Sequence, residues 1–308
     1  MHIVIVGAGG IGGYFGARLL QAGERVSFVA RGRHAQAIRD SGLRLQSPLG
    51  DALVHPDAVS DNPAVLGTAD LVLFTVKLPD VEAAAEQLAP VMRAGTVVLP
   101  LQNGVDVAEM LSVQVGPEAV ALGAAYIGVK IAAPGLIEHG GNFARLRFGA
   151  LHPAQEPALR AFLAACQHAG IEAEWQDDVR RAIWEKFVLL VGLSSLTGLT
   201  RLPIGVTRAD PELRRLLQQV MNEVAVLARA EGQALPEDFV ERQMAMVDSV
   251  PAGMKASMLH DLEAGRPLEL PWLAASVVRR SERLGLDASA NRFIAAALGP
   301  YAKGTPTP

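Results

Sequence analysis

Hydrophobic positions along the chain fall into two regimes. Up to about Trp175 short apolar runs alternate with amphipathic stretches. His2–Val6, Arg25–Val29, Leu71–Thr75 and Thr96–Leu99 read as strands, while Tyr14–Gln21, Val81–Leu88 and Val105–Leu111 read as helices. The first strand is nearly continuous in apolar residues, as a parallel strand buried on both faces requires. This βαβα rhythm predicts a parallel sheet covered by helices. Leu43–Gln46 and Ala52–Val54, around the turn Pro48-Leu49-Gly50, read as a small hairpin. From Val120 to Phe148, β-rich pieces separated by Pro134-Gly135 and Gly140-Gly141-Asn142 predict antiparallel strands at the sheet edge. A helix over 156–169 and a strand Ile171–Trp175 complete this half.

After Gln176 the strand pattern stops. Helices are expected over Asp178–Leu193, Pro236–Val250, Ser257–Ala264, Trp272–Leu284 and Ala288–Leu298. Another begins at Asp210-Pro211, a capping residue before proline, and ends at Gly232. The tail 303–308 reads as frayed. With the glycine-rich turn Gly7-Ala8-Gly9-Gly10-Ile11-Gly12 between the first strand and the first helix, the fold class is an α/β N-terminal dinucleotide-binding domain of Rossmann type, residues 1–175, followed by an all-α domain, residues 176–308. A length of 308 residues favours two domains on its own.

Composition narrows the partners. Half the residues are hydrophobic and 19% charged, enough for a sizeable core. A net charge of only −4 gives no reason to expect nucleic acid or an anionic membrane. Cys166 is the only cysteine, so no internal disulfide and no thiolate metal cluster can form; it reads as a small core residue. No metal site is expected. The chain enters a strand at once, leaving no room for a signal peptide, and no uncharged apolar stretch reaches about 18 residues. A cytoplasmic protein is the expectation.

The candidate chemistry starts at Gly7-Ala8-Gly9-Gly10-Ile11-Gly12, a G-x-G-x-x-G between a strand and a helix. Gly7 allows the tight turn, Gly9 lets the backbone approach a diphosphate, and Gly12 lets helix and strand pack closely. Gly7, Ala8, Gly9, Gly10, Ile11 and Gly12 are thus candidate cofactor contacts, with the diphosphate on the helix N-terminus. The second strand runs out at Ala30-Arg31-Gly32-Arg33 without the acidic residue that binds a ribose 2′-hydroxyl. Arg31, with Arg33 nearby, instead matches a 2′-phosphate, which favours NADP(H); solvated arginines at a strand–helix junction are the alternative. Lys77 and Asn103 follow the strands Leu71–Thr75 and Thr96–Leu99, where open α/β sheets collect ligands. Asn103 also reads as an N-cap before Val105.

Thr75-Val76-Lys77, Gln102-Asn103-Gly104, Trp184-Glu185-Lys186-Phe187 and Ser257-Met258-Leu259-His260-Asp261-Leu262 with Glu269 follow the glycine motif in order. Together they resemble the ketopantoate reductase (2-dehydropantoate 2-reductase) family over nearly the whole chain. The resemblance implies NADPH-dependent reduction of a small 2-oxo acid in pantothenate biosynthesis. Lys186 would be the proton donor, and Asn103 and Ser257 would hold substrate. Lys77 and Glu269 would line the cofactor–substrate cleft, each in contact with cofactor. The residues themselves agree for Lys186, which precedes the apolar run Phe187–Leu193, where partial burial lowers an amine pKa. Ser257 would otherwise be an N-cap. Two departures stand out. Where the family places asparagines one and two turns after the lysine, this chain has Leu190 and Ser194; Ser194 is the candidate to take over the substrate contact. After Glu269 the family's Asp and Gly give way to Leu270-Pro271-Trp272-Leu273-Ala274-Ala275. A paralogous reductase of a more apolar 2-oxo acid or ketone is therefore an alternative, as is a non-enzymatic NADP-binding sensor. The long apolar helices of the second half are compatible with a homodimer.

Overall fold

The computed structural model describes residues 1–306. It divides into two units, Met1–Asn103 with Val107–Val179, and Gly104–Asp106 with Arg180 onward. Chain order in the first unit is β1 (His2–Val6), α1 (Gly10–Gln21), β2 (Arg25–Val29), α2 (Gly32–Ser41), β3 (Leu43–Gln46), β4 (Ala52–Val54) and β5 (Ala58–Ser60). There follow β6 (Leu71–Phe74), α3 (Val81–Ala85), β7 (Val97–Pro100), α4 (Val107–Val115), β8 (Leu122–Ala133), β9 (Leu136–Gly149), α5 (Glu156–His168) and β10 (Glu172–Trp175).

Five parallel strands form the first sheet in the order β5-β2-β1-β6-β7. The chain starts in the middle, builds outward through β2 and β5, then returns to the other side of β1. The order therefore reverses between β1 and β6, the place where such sheets bind ligands beyond their strand ends. β5 was not anticipated; three half-buried residues carry no legible period.

The strands over 122–149 correct the sequence expectation. They pair antiparallel with each other. They meet the edge of the parallel sheet just before β8, where Val120 bridges Val98 of β7 and Ala121 N donates to Val98 O at 2.9 Å, but their main pairing lies elsewhere. β9 is the spine of a second sheet. β8 pairs with it along one edge; β3 pairs in parallel with its start and β10 with its end. The turn glycine Gly135 accepts the Arg44 N–H at 2.8 Å, which draws the hairpin β3–β4 into this sheet. One apolar cluster fills the unit, with Ile3, Ile5, Phe15, Phe28, Leu73, Ile137, Phe148 and Phe162 fully buried in it. Cys166 belongs to that cluster, and burial pushes its thiol up, away from reactivity.

The helices that follow are α6 (Val179–Thr200), α7 (Ile204–Ala209), α8 (Pro211–Ala230), α9 (Phe239–Ser249), α10 (Ser257–Glu263), α11 (Ala274–Arg283) and α12 (Ser289–Leu298). Asp210 caps α8 as expected, accepting the Glu212 and Leu213 N–H groups at 2.9 Å each. α12 is capped from a distance. The buried Glu223 carboxylate accepts from Ala290 N at 2.8 Å and from Asn291 N at 2.9 Å, satisfying first-turn donors that no local side chain caps. α6 is long and apolar enough to cross a membrane by length and composition, yet 67% of its most apolar window is buried inside the protein. With Phe187, Val188, Val191 and Leu196 it forms the spine of the second core cluster. The tail also departs from expectation. Leu268 N donates to Ala302 O at 3.0 Å and Thr305 N to Gly265 O at 3.2 Å, so the chain is tied down as far as Thr305; residues 307–308 of the tail lie outside the described residues.

Candidate active site

The glycine motif is built as a turn that only glycine can make. Gly7 lies at φ +100°, and a Cβ there would stand 2.9 Å from Val76 N. A Cβ on Gly12 would stand 2.1 Å from Gly7 O, so α1 starts too close to β1 for any side chain. A Cβ on Gly9 would meet nothing within 4 Å. That open side adjoins a helix N-terminus whose cap residue makes no side-chain hydrogen bond and whose first turn holds no acidic residue. Free N–H groups, a positive helix end and a surface without a Cβ fit a diphosphate. Gly7, Ala8, Gly9, Gly10, Ile11 and Gly12 would hold it.

The neighbouring strand ends are wired to this loop. The Thr75 hydroxyl, just past β6, lies 2.7 Å from Gly7 O and 3.1 Å from Val6 O. Gln102, just past β7, is 8% exposed and donates through Nε2 to Val76 O at 2.9 Å. These bonds register the ends of β1, β6 and β7, and thereby the segments that carry Lys77 and Asn103. Lys77 is exposed and Asn103 half-buried. Asn103 is not the N-cap of a helix at Val105, because α4 begins only at Val107. Arg31 stands where β2 gives way to α2, with its guanidinium exposed and 3.0 Å from Asp80. Sequence reading missed Asp80, which lies 49 positions away, and gave Gln102 no task.

In the second unit Lys186 lies two turns into α6 with its surface partly exposed. Burial brings its amine down to about 8, and the Glu269 carboxylate opposes that shift. Glu269 precedes the 3₁₀ turn Leu270–Trp272, part of the segment that departs from the family pattern. Leu190, one turn beyond Lys186 on the same helix face, is also partly exposed. Ser194, a further turn on, is not. It is fully buried, and its hydroxyl has no hydrogen-bond partner among the described residues. The substrate contact expected of Ser194 would therefore have to reach a hydroxyl that lies buried in the second unit. Ser257 is exposed at the first position of α10, with Ala256 in the cap position, so Ser257 is not the N-cap.

A buried ionic cluster accompanies these groups in the second unit. Arg280, 5% exposed, donates from Nε to Asp106 at 2.8 Å and from Nη1 to both Glu231 oxygens at 2.8 and 2.9 Å. Ser276 donates to the other Asp106 oxygen at 2.7 Å. The cluster anchors Gly104–Asp106, the residues immediately after Asn103.

The chain and its fold are similar to those of known proteins. The profile described as ketopantoate reductase PanE/ApbA matches residues 3–153, and its C-terminal counterpart matches residues 178–302. A 2-dehydropantoate 2-reductase of Mesorhizobium japonicum is 32% identical over 300 residues, 90% of each chain. The crystal structure of a PanE/ApbA family ketopantoate reductase from Ralstonia eutropha JMP134 is 33% identical, covers 98% of each chain and superposes with a TM-score of 0.88. D-mandelate dehydrogenase, solved with NADH and anilino(oxo)acetate, is 18% identical over 98% of each chain at a TM-score of 0.89, a likeness of fold. Profiles covering both units, together with relatives that match along nearly their full length, show that the chain belongs to the ketopantoate reductase family, oxidoreductases that use a dinucleotide cofactor to reduce the ketone of a small 2-oxo acid.

Proposed function

We propose that the protein reduces a small 2-oxo acid with NADPH, ketopantoate to pantoate being the first choice of substrate. The observation that carries this reading is Lys186, an amine held near 8 by burial and countered by Glu269. A general acid works best when its pKa lies close to the working pH. NADPH, when bound, supplies hydride to the ketone carbon. Lys186 then does what the chain must do: its ammonium stabilises the charge developing on the ketone oxygen and passes a proton to it, giving the alcohol and a neutral amine. The neutral amine takes up a proton again before the next turnover. Arg31, at the end of a β2 that offers no carboxylate to a 2′-hydroxyl, supports NADPH over NADH.

Leu190 favours a second reading. A leucine one turn from the proton donor offers substrate an apolar wall where family members offer an amide. Such a wall suits a 2-oxo acid without a hydroxyl. Steady-state consumption of NADPH with ketopantoate, and with a hydroxyl-free 2-oxo acid of similar size, tests both readings. Turnover of ketopantoate with the higher kcat/KM supports the first and the reverse order the second. An enzyme that binds NADPH but turns over neither acid contradicts both.

A further inference from the structure

His34 sits in the first turn of α2, three residues beyond Arg31, and joins two segments far from it in sequence. Its Nδ1 accepts the Gly135 N–H, from the turn between β8 and β9, at 3.0 Å. Its Nε2 lies 2.8 Å from the carbonyl oxygen of Ala8, in the glycine loop. The two bonds fix the ring's state. Nδ1 receives a donor and must be bare, so the single proton of the neutral imidazole sits on Nε2 and points at Ala8. Half-burial keeps the imidazole below its ordinary range, which favours that neutral form. Ala37 of α2 packs within 3.1 Å of where a Cβ on Gly135 would be, so the turn is seated on α2 by more than the histidine.

The peptide between Ala8 and Gly9 is planar, with its C=O and N–H pointing in opposite directions. Holding the Ala8 carbonyl toward His34 therefore turns the Gly9 N–H to the opposite side of the loop. We propose that His34 is the positioning residue of this loop, fixing the Ala8–Gly9 peptide so that its N–H faces the cofactor diphosphate. The proposal rests on reading the first unit as a dinucleotide site. It predicts an effect common to NADPH and NADH, since both carry the diphosphate, whereas Arg31 would act on NADPH alone.

The test is direct titration of both dinucleotides against the full-length protein and three variants, with a melting midpoint for each. In His34→Gln the amide nitrogen reaches the place of Nε2 and can still donate to Ala8. In His34→Asn the amide oxygen takes the place of Nδ1 and serves Gly135, but nothing donates to Ala8. His34→Ala loses both bonds. The expected result is that Ala and Asn weaken NADPH and NADH alike by about ten-fold, the worth of one orienting hydrogen bond, while Gln stays close to wild type. The Asn variant should also keep the wild-type midpoint, a separation of affinity from stability that a merely structural residue would not show. An Asn variant with wild-type affinity overturns the proposal. So does a loss confined to NADPH, which would assign His34 to the 2′-phosphate beside Arg31. Wild-type protein that binds neither dinucleotide overturns the underlying reading together with it.

Discussion

At Lys186 two effects oppose each other: burial disfavours the ammonium and the Glu269 carboxylate favours it, with burial the larger. A proton donor must carry its proton, so ketone reduction should fall as pH rises through about 8. Glu269→Gln removes the opposing charge and should move that alkaline limb to lower pH. A limb that stays in place in the kcat–pH profile would show that Glu269 does not act on Lys186. The same shift bears on stability with a definite sign. The folded value lies below the unfolded one, so the cost is full below about 8 and disappears as pH rises toward the unfolded value. Arg31→Ala should weaken NADPH by about 1.5–3 kcal/mol, the worth of a charge-assisted hydrogen bond, and leave NADH nearly unchanged; equal losses in the two titrations would make Arg31 structural. Leu190→Asn should raise kcat/KM for ketopantoate relative to the hydroxyl-free acid, by an amount on the order of 1–3 kcal/mol in the ratio. A wild-type enzyme already efficient on ketopantoate, and impaired by the asparagine, would mean that the pocket has been rebuilt around leucine. Arg31 stood out in sequence because it follows the end of β2, and Lys186 because it opens an apolar helical run within a block that resembles the family. Asp80 and His34 were not, because their partners are brought to them by folding across 49 and 101 positions.

Elements were legible where pattern and pairing are local. β1, β2, β3 and β4 match their expected ends residue for residue. The second sheet was not foreseen, since alternation identifies a strand but does not choose its neighbour. α6 runs past its expected end at Leu193: Ser194, Ser195 and Thr197 are all buried and the helix continues to Thr200. Thr197 and Thr200 return their hydroxyls to the carbonyls of Leu193 and Leu196 at 2.7 Å each, which lets hydroxyl residues continue a buried helix. The grouping of Gly104–Asp106 with the helical unit was equally invisible, resting on Asp106 and Arg280, 174 positions apart. Removing one member of a buried ionic cluster leaves the others uncompensated. Arg280→Ala should therefore lower stability by about 3–5 kcal/mol in denaturant unfolding. A loss below about 1 kcal/mol would show that the cluster behaves like an exposed ion pair.

For the whole molecule, a separate apolar cluster in each unit matches the proposed division of labour. The first unit carries the glycine loop, Arg31, Lys77 and Asn103, the groups suited to a dinucleotide. The second carries Lys186 and Glu269, the groups suited to moving a proton. The sequence disclosed this division through the change from βα alternation to helices alone, because period is a local property. Loss of the amine should therefore remove chemistry without removing cofactor. The most direct measurement is kcat for 2-oxo acid reduction beside the dissociation constant for NADPH, in wild type and in Lys186→Ala. The account predicts a kcat lower by about 10²–10⁴-fold, as for loss of a general acid, with NADPH affinity largely intact. A Lys186→Ala protein that retains most of its turnover would contradict it.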